Sequence, residues 1–321
     1  MADLCVVLDD YQNVALKMAD WSPVTRDLNV KVLNAHLGSP AEVIEALKDA
    51  TVVCVMRERT PLPREVIEAL PKLKLIVTTG MYNASVDLAA AKARGILVCG
   101  TRGIGTPTAD LTFGLMLDLA RSISLENARM KAGEPWQITV GTDMPGKTLG
   151  ILGLGKLGSR VAGIAQAFDM NVIAWSQNLT PERCKEVGVT YATKEELFAQ
   201  SDFITIHLVL SERTRGIVGA ADLARMKPSA YLVNTSRGPI VDEAALVKAL
   251  RDKTIAGAGI DVYGVEPLPI DHAYRSLPNI VMTPHLGYVT DGNFLRFYSD
   301  TVENIRAWLD GKPVRIVTAN K

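Results

Sequence analysis

The chain has 321 residues, about twice the usual single-domain length, which predicts two domains. A composition of 48% apolar and 22% charged residues excludes a disordered chain. The 35 basic and 35 acidic residues cancel to a formal net charge of zero, which argues against a broadly basic nucleic-acid binder or a polybasic membrane surface.

In chain order, short apolar runs at 5–8, 30–33, 52–55, 75–78 and 97–99 read as strands. Helical stretches at 40–48, 63–70 and 86–94 fall between them. Pro40 and Pro63 suit a first helical turn, and Gly95 suits a helix end. One long helix is then predicted over 107–131, with Thr106 as N-cap, Pro107 first, Asp110 in the first turn and Gly133 past the end. A loop rich in Gly and Pro follows. A second series has strands at 149–152, 172–175, 203–208, 231–234, 258–260 and 280–282, with helices at 157–168, 195–200, 221–226 and 243–251. A final amphipathic helix over 290–310 stops at Gly311 and Pro313. Alternation of this kind predicts an α/β chain of two doubly wound parallel-sheet domains.

The chain enters its first apolar run without a basic leader, and no run has the length of a membrane span. Cys5, Cys54, Cys99 and Cys184 are far apart, and three lie in or beside apolar runs. There cysteine acts as a small buried hydrophobe. The expectation is a cytoplasmic protein with no metal and no disulfide.

Gly153, Gly155 and Gly158 form a G-x-G-x-x-G array between a strand and a helix. Gly153 permits a tight turn, Gly155 lets backbone approach a pyrophosphate, and Gly158 lets the helix pack close to the strand. A dinucleotide site then expects an acid about 20 residues on, at the next strand end. The sequence there is Trp175-Ser176-Gln177-Asn178, with no acid and no adjacent arginine. Ser176 and Gln177 can bond a ribose hydroxyl or a phosphate. The reading is tolerance of NADP, with a lean toward it or dual use.

Three further stretches carry Arg237 in "NTSRG", Glu266 in "DVYGVEP" and His285 in "TPHLG". Each lies just past a predicted strand, where open α/β sheets place ligands. Read singly, Arg237 is equally a surface residue, Glu266 before Pro267 a turn residue, and His285 a structural histidine. Together they suit carbonyl–alcohol redox chemistry. Arginine stays charged and matches a planar carboxylate, histidine titrates near neutrality, and a carboxylate favours its charged form. His207, on the strand "FITIHL", is the rival to His285 and reads as lining the cofactor side.

With "GLGKLG", "SDFITIHLVLSERTRGIV", "MKPSAYLVNTSRG", "GIDVYGVEP" and "TPHLG" in order, the chain resembles the D-isomer-specific 2-hydroxyacid dehydrogenase family over about 52–314. The resemblance implies a Rossmann nucleotide domain at 101–290, inserted in a flavodoxin-like substrate domain of 1–100 plus 291–321. It implies that Arg237 binds the substrate carboxylate and 2-oxo group. His285 would donate a proton to the carbonyl oxygen as hydride arrives, and Glu266 would hold the imidazole. Thr108, Lys156, Leu157, His207, Thr235 and Asp261 would join Gly153, Gly155, Gly158, Ser176 and Gln177 around NAD(P). The substrate end would use Arg57 and the backbone of Gly80, Met81 and Tyr82, together with Arg237 and His285.

Tyr82 stands where the family usually has glycine, so it caps the pocket or points to solvent. Arg57 and Arg59 bind an anionic tail or are surface charges. Tyr288 is placed to shape the pocket, and Trp136 to pack at a homodimer interface. Glu266, where the similar formate dehydrogenases have glutamine, favours 2-oxo acids over formate. The sequence ends soon after its last helix, so no regulatory extension is expected.

The expected activity is NAD(P)-dependent interconversion of a small 2-oxo acid and a D-2-hydroxy acid, of the glyoxylate or hydroxypyruvate type. A 3-phosphoglycerate dehydrogenase-like enzyme and a dinucleotide-sensing, corepressor-like binding protein are the alternatives. No nucleic-acid or membrane partner is expected.

Overall fold

A computed structural model describes residues 3–318. The described residues divide into one unit of 3–104 with 290–318 and a second of 105–289.

The first unit alternates β1 (Asp3–Val7), α1 (Ser22–Thr25), β2 (Leu28–Val32), α2 (Pro40–Leu47), β3 (Ala50–Val55), α3 (Arg64–Glu68), β4 (Leu75–Thr78), α4 (Leu88–Ala93) and β5 (Leu97–Gly100). Its strands are all parallel, in the order β2-β1-β3-β4-β5. This is the flavodoxin-like order, with its switch point between β1 and β3. Every residue of β3 and β4 is buried, which explains why their sequences are nearly all apolar. Ser39 and Glu42 form a capping box at α2.

The second unit begins with α5 (Pro107–Arg121) and α6 (Ile123–Lys131). It continues with β6 (Thr148–Leu152), α7 (Lys156–Ala167), β7 (Asn171–Trp175), α8 (Pro181–Val187), β8 (Thr190–Tyr191), α9 (Lys194–Gln200) and β9 (Phe203–Ile206). Then come α10 (Ala220–Leu223), β10 (Tyr231–Asn234), α11 (Glu243–Arg251), β11 (Gly257–Ile260) and β12 (Ile280–Met282). The parallel sheet has the order β12-β11-β10-β9-β6-β7-β8. Numbered from β6, this is the doubly wound order of a Rossmann domain with one added edge strand. Its two faces are covered by separate apolar clusters, one around Phe198 and Leu232, the other around Phe113 and Phe203.

The chain returns to the first unit through α12 (Asp291–Leu309), which packs on β4. Residues past α12 then bond to β5, through Gly100 N–H to the Arg315 carbonyl and Val317 N–H to the Val98 carbonyl.

The single helix expected over 107–131 is two helices. Ser122 is left-handed at φ 51 and separates α5 from α6. The Asp118 carboxylate accepts the Ser124 N–H at 2.7 Å and the Ser124 hydroxyl, which restarts the chain as a new helix. Thr106 holds the N-cap position of α5 without a side-chain bond. The cysteines are buried free thiols, with the sulfurs of Cys5 and Cys54 3.9 Å apart across β1 and β3.

Candidate functional site

In the second unit the chemistry-bearing residues gather at the carboxyl ends of β6, β9, β10, β11 and β12, on one edge of the sheet. The turn after β6 is set by Gly153 at φ 102, whose N–H bonds the Trp175 carbonyl at 2.8 Å. A Cβ on Gly153 would lie 2.8 Å from the His207 carbonyl oxygen, and one on Gly158 would lie 2.0 Å from the Gly153 carbonyl oxygen. Both glycines are therefore required by close backbone approach. Gly155 is the N-cap of α7 and faces open space, and it has no side chain to cap the first turn. That leaves an uncapped helix N-terminus beside open backbone, which fits a pyrophosphate. Lys156 opens the helix, with its Nζ over Gly105, and Leu157 follows in the first turn.

Arg237 lies just past β10. The Asn234 side chain bridges the turn, accepting from Ser236 N–H at 3.0 Å and donating to the Arg237 carbonyl at 3.0 Å. Gly238 is packed so tightly that a Cβ would fall 2.2 Å from the Tyr263 carbonyl carbon. This contact presses the arginine turn against the loop that carries Glu266.

His285 follows β12 in a left-handed conformation, φ 55. Its N–H bonds the Asp261 carbonyl at 2.8 Å, and its Nδ1 lies 2.6 Å from Glu266 Oε2. The other Glu266 oxygen accepts the Tyr263 N–H at 2.9 Å. Burial pushes the Glu266 carboxyl up. The His285 hydrogen bond and charge, the Tyr263 N–H and the Arg237 charge outweigh it and hold the group below the usual range. An ionised carboxylate thus fixes one ring nitrogen, and Nε2 is the nitrogen left to exchange a proton with a ligand. The Tyr288 ring stands edge-on to the imidazole at 5.4 Å between centroids.

Several residues expected around the cofactor have polar atoms bonded within the protein. Asp261 is fully buried, and its carboxylate accepts from the Thr283 hydroxyl at 2.6 Å, Leu286 N–H at 2.7 Å and Gly287 N–H at 2.9 Å. Burial holds its carboxyl above the usual range against these bonds and the His285 charge. Thr108 donates to the Gly287 carbonyl at 2.9 Å, and Thr235 meets the Thr112 hydroxyl at 2.9 Å. These side chains shape the histidine turn and its floor. His207, one residue past β9, has an enclosed Nε2 with no partner among the described residues. Burial pushes its imidazole down to about 4.

Sequence reasoning missed Tyr263. Its hydroxyl donates to the Thr283 and Ile260 carbonyls at 2.9 and 3.2 Å, tying the Glu266 loop to the histidine turn. Its place inside "DVYGVEP" is the only sign in the sequence.

In the first unit, Arg57 is also left-handed, and its guanidinium covers Gly80, where a Cβ would fall 2.2 Å from Nη1. The Gly80 N–H is taken by the Thr101 hydroxyl at 2.9 Å. This corrects the expectation that all three amides are available: of the Gly80, Met81 and Tyr82 N–H groups, only those of Met81 and Tyr82 have no acceptor among the described residues. Tyr82 is 61% exposed. Arg59 donates to the Asp9 carbonyl at 2.8 Å and stacks on Tyr11.

The family described as "D-isomer specific 2-hydroxyacid dehydrogenase, NAD binding domain" matches residues 113–287, more than half of the chain. The chain belongs to that family. A glyoxylate reductase of Korarchaeum cryptofilum is 36% identical over 84% of this chain and 83% of its own length. A D-3-phosphoglycerate dehydrogenase of Synechocystis sp. is 36% identical over 86% of this chain, which spans about half of that relative. The crystal structure of a phosphoglycerate oxidoreductase from Vibrio cholerae superposes with a TM-score of 0.91 at 34% identity, covering 97% of this chain and 100% of the other. Members of the D-2-hydroxyacid dehydrogenase family are NAD-binding oxidoreductases, which accords with the glycine turn at β6. Among the described residues no helix is long and apolar enough to cross a membrane, and no cluster of His, Cys, Asp and Glu could hold a metal ion.

Proposed function

We propose that this chain is an NAD(P)-dependent D-2-hydroxyacid dehydrogenase acting on a small 2-oxo acid of the glyoxylate or hydroxypyruvate type. The observation that carries the reading is the 2.6 Å pair of His285 and Glu266, with Arg237 on the adjoining turn and the glycine turn on the same sheet edge. The pyrophosphate would lie on the Gly153–Gly158 turn and the start of α7. The nicotinamide, when bound, supplies or accepts the hydride. Arg237 binds the substrate carboxylate and draws the 2-oxo group toward its charge. His285 gives the Nε2 proton to the carbonyl oxygen in reduction and takes it back in oxidation. Glu266 stays ionised and steadies the imidazolium, so each reduction consumes one hydride and one proton. In the first unit, the Met81 and Tyr82 amides beside Arg57 suit a carboxylate.

A phosphorylated substrate is the second reading. It is favoured by the guanidinium over Gly80 and by the phosphoglycerate dehydrogenases among the relatives. We assign a homodimer to α6 and the loop after it. That helix buries no residue, and Trp136 is 76% exposed. A reducing, cytoplasmic setting suits the free thiols.

A panel of 2-oxo acids, phosphorylated and not, with NADH and NADPH followed by absorbance, tests substrate and cofactor together. His285→Asn, which keeps the left-handed turn, should lower turnover at least about 100-fold while NADH binding stays near that of the wild type. Unchanged turnover in that variant rejects His285 as the acid.

A further inference from the structure

The turn after β7 carries Ser176, Gln177 and Asn178, none of them charged. Gln177 reaches away from its own strand. Its Nε2 donates to the main-chain carbonyl of Arg213 at 3.1 Å, across 36 residues of sequence. Arg213 belongs to the loop after β9, and β6 lies between β9 and β7 in the sheet. The bond therefore joins the loops on either side of the glycine turn.

The Arg213 side chain is exposed, and among the described residues its guanidinium has no hydrogen-bond or ion-pair partner. The nearby Arg183 on α8 differs: it pairs with Glu186 at 2.9 Å and donates to the Ser159 hydroxyl at 3.2 Å. Ser176 is half-buried and neutral, and a hydroxyl can donate to a phosphate oxygen. The sequence around Ser176 has no adjacent arginine. The fold brings one there from the neighbouring loop.

Resting on the dinucleotide reading above, we propose that Arg213, anchored through Gln177, is the cation that seats an adenosine 2′-phosphate. Ser176 is its hydroxyl partner, and the site takes NADP(H). A phosphate monoester carries nearly two charges at neutral pH, and the guanidinium fork matches its oxygens in two-point geometry. With no carboxylate at the strand end, nothing there repels it. The seat is exposed, so its contribution weakens as salt rises.

The test is calorimetric titration of the full chain with 2′,5′-ADP and with 5′-AMP, which differ only in the phosphate and support no hydride chemistry. The wild type is expected to prefer 2′,5′-ADP. Arg213→Ala lowers the ratio of the two affinities about tenfold, and Arg213→Glu lowers it further. The wild-type preference shrinks with added salt. A ratio unmoved by Arg213→Ala, or a wild type that prefers 5′-AMP, overturns the assignment while leaving the dinucleotide site standing. A wild type that binds neither fragment nor NADH overturns both.

Discussion

His207 provides a quantitative test of the site's proton chemistry. Its imidazole is pushed from 6.5 to about 4 by burial, and its enclosed Nε2 has no partner among the described residues. A histidine whose folded value is depressed binds protons more tightly when unfolded. Stability is then full above 6.5 and is lost as pH falls toward 4. The gap of about 2.5 units, at about 1.4 kcal/mol per unit, gives roughly 3 kcal/mol once the ring is fully protonated. Of this, about 1 kcal/mol should be gone by pH 5.5 and roughly 2.5 by pH 4.5. His207→Gln removes the titrating ring and keeps a polar side chain. Urea unfolding of both proteins from pH 7 to 4.5 should therefore show a shallower acid slope for the variant by about these amounts. Equal slopes would refute the burial argument and readmit His207 as a proton donor. A ring neutral at working pH is a poor proton donor, which is consistent with the acid role proposed for His285.

Asp261→Asn should cost about 2 kcal/mol of stability and lower kcat more than it raises KM. An amide can serve the Thr283 and Leu286 donors or the Gly287 donor, not all three, so one buried N–H loses its acceptor beside the proposed acid His285. Thermal melts and steady-state kinetics read both effects, and a variant matching the wild type in both removes Asp261 as a positioning residue. Ser176→Asp should lower the NADP/NAD ratio of kcat/KM about tenfold or more, and an unchanged ratio would place the ribose end elsewhere. Trp136→Glu should shift the mass measured by light scattering toward the single chain. A wild type already of single-chain mass would reject the proposed dimer surface.

Much of the fold was legible because parallel, doubly covered strands leave long apolar runs. "ATVVCV" and "LIVT" are buried at every position. The break at Ser122 was not legible, since neither Gly nor Pro marks it and the device is an aspartate two turns earlier bonding Ser124. α8 was missed although Thr180, Pro181 and Gly188 bracket it, because its few apolar residues gave no periodic stripe. In the site, Arg237, Glu266 and His285 each follow a strand in a short motif, and it is their occurrence together that marks them in the sequence. The bonds that Asp261, Thr283 and Tyr263 make depend on loops from different strands meeting. So does the approach of Arg213 to Gln177.

The left-handed backbone at His285 also bears on how an inactive protein should be made for ligand-bound crystals. Glutamine keeps much of the reach of the ring, but it has little tolerance for that conformation, whereas asparagine adopts it readily. His285→Asn would remove the proposed proton carrier while preserving the main-chain bonds to Asp261 and Thr283 that hold the turn. A substrate trapped in that variant would report the shape of the working site and not that of a relaxed loop.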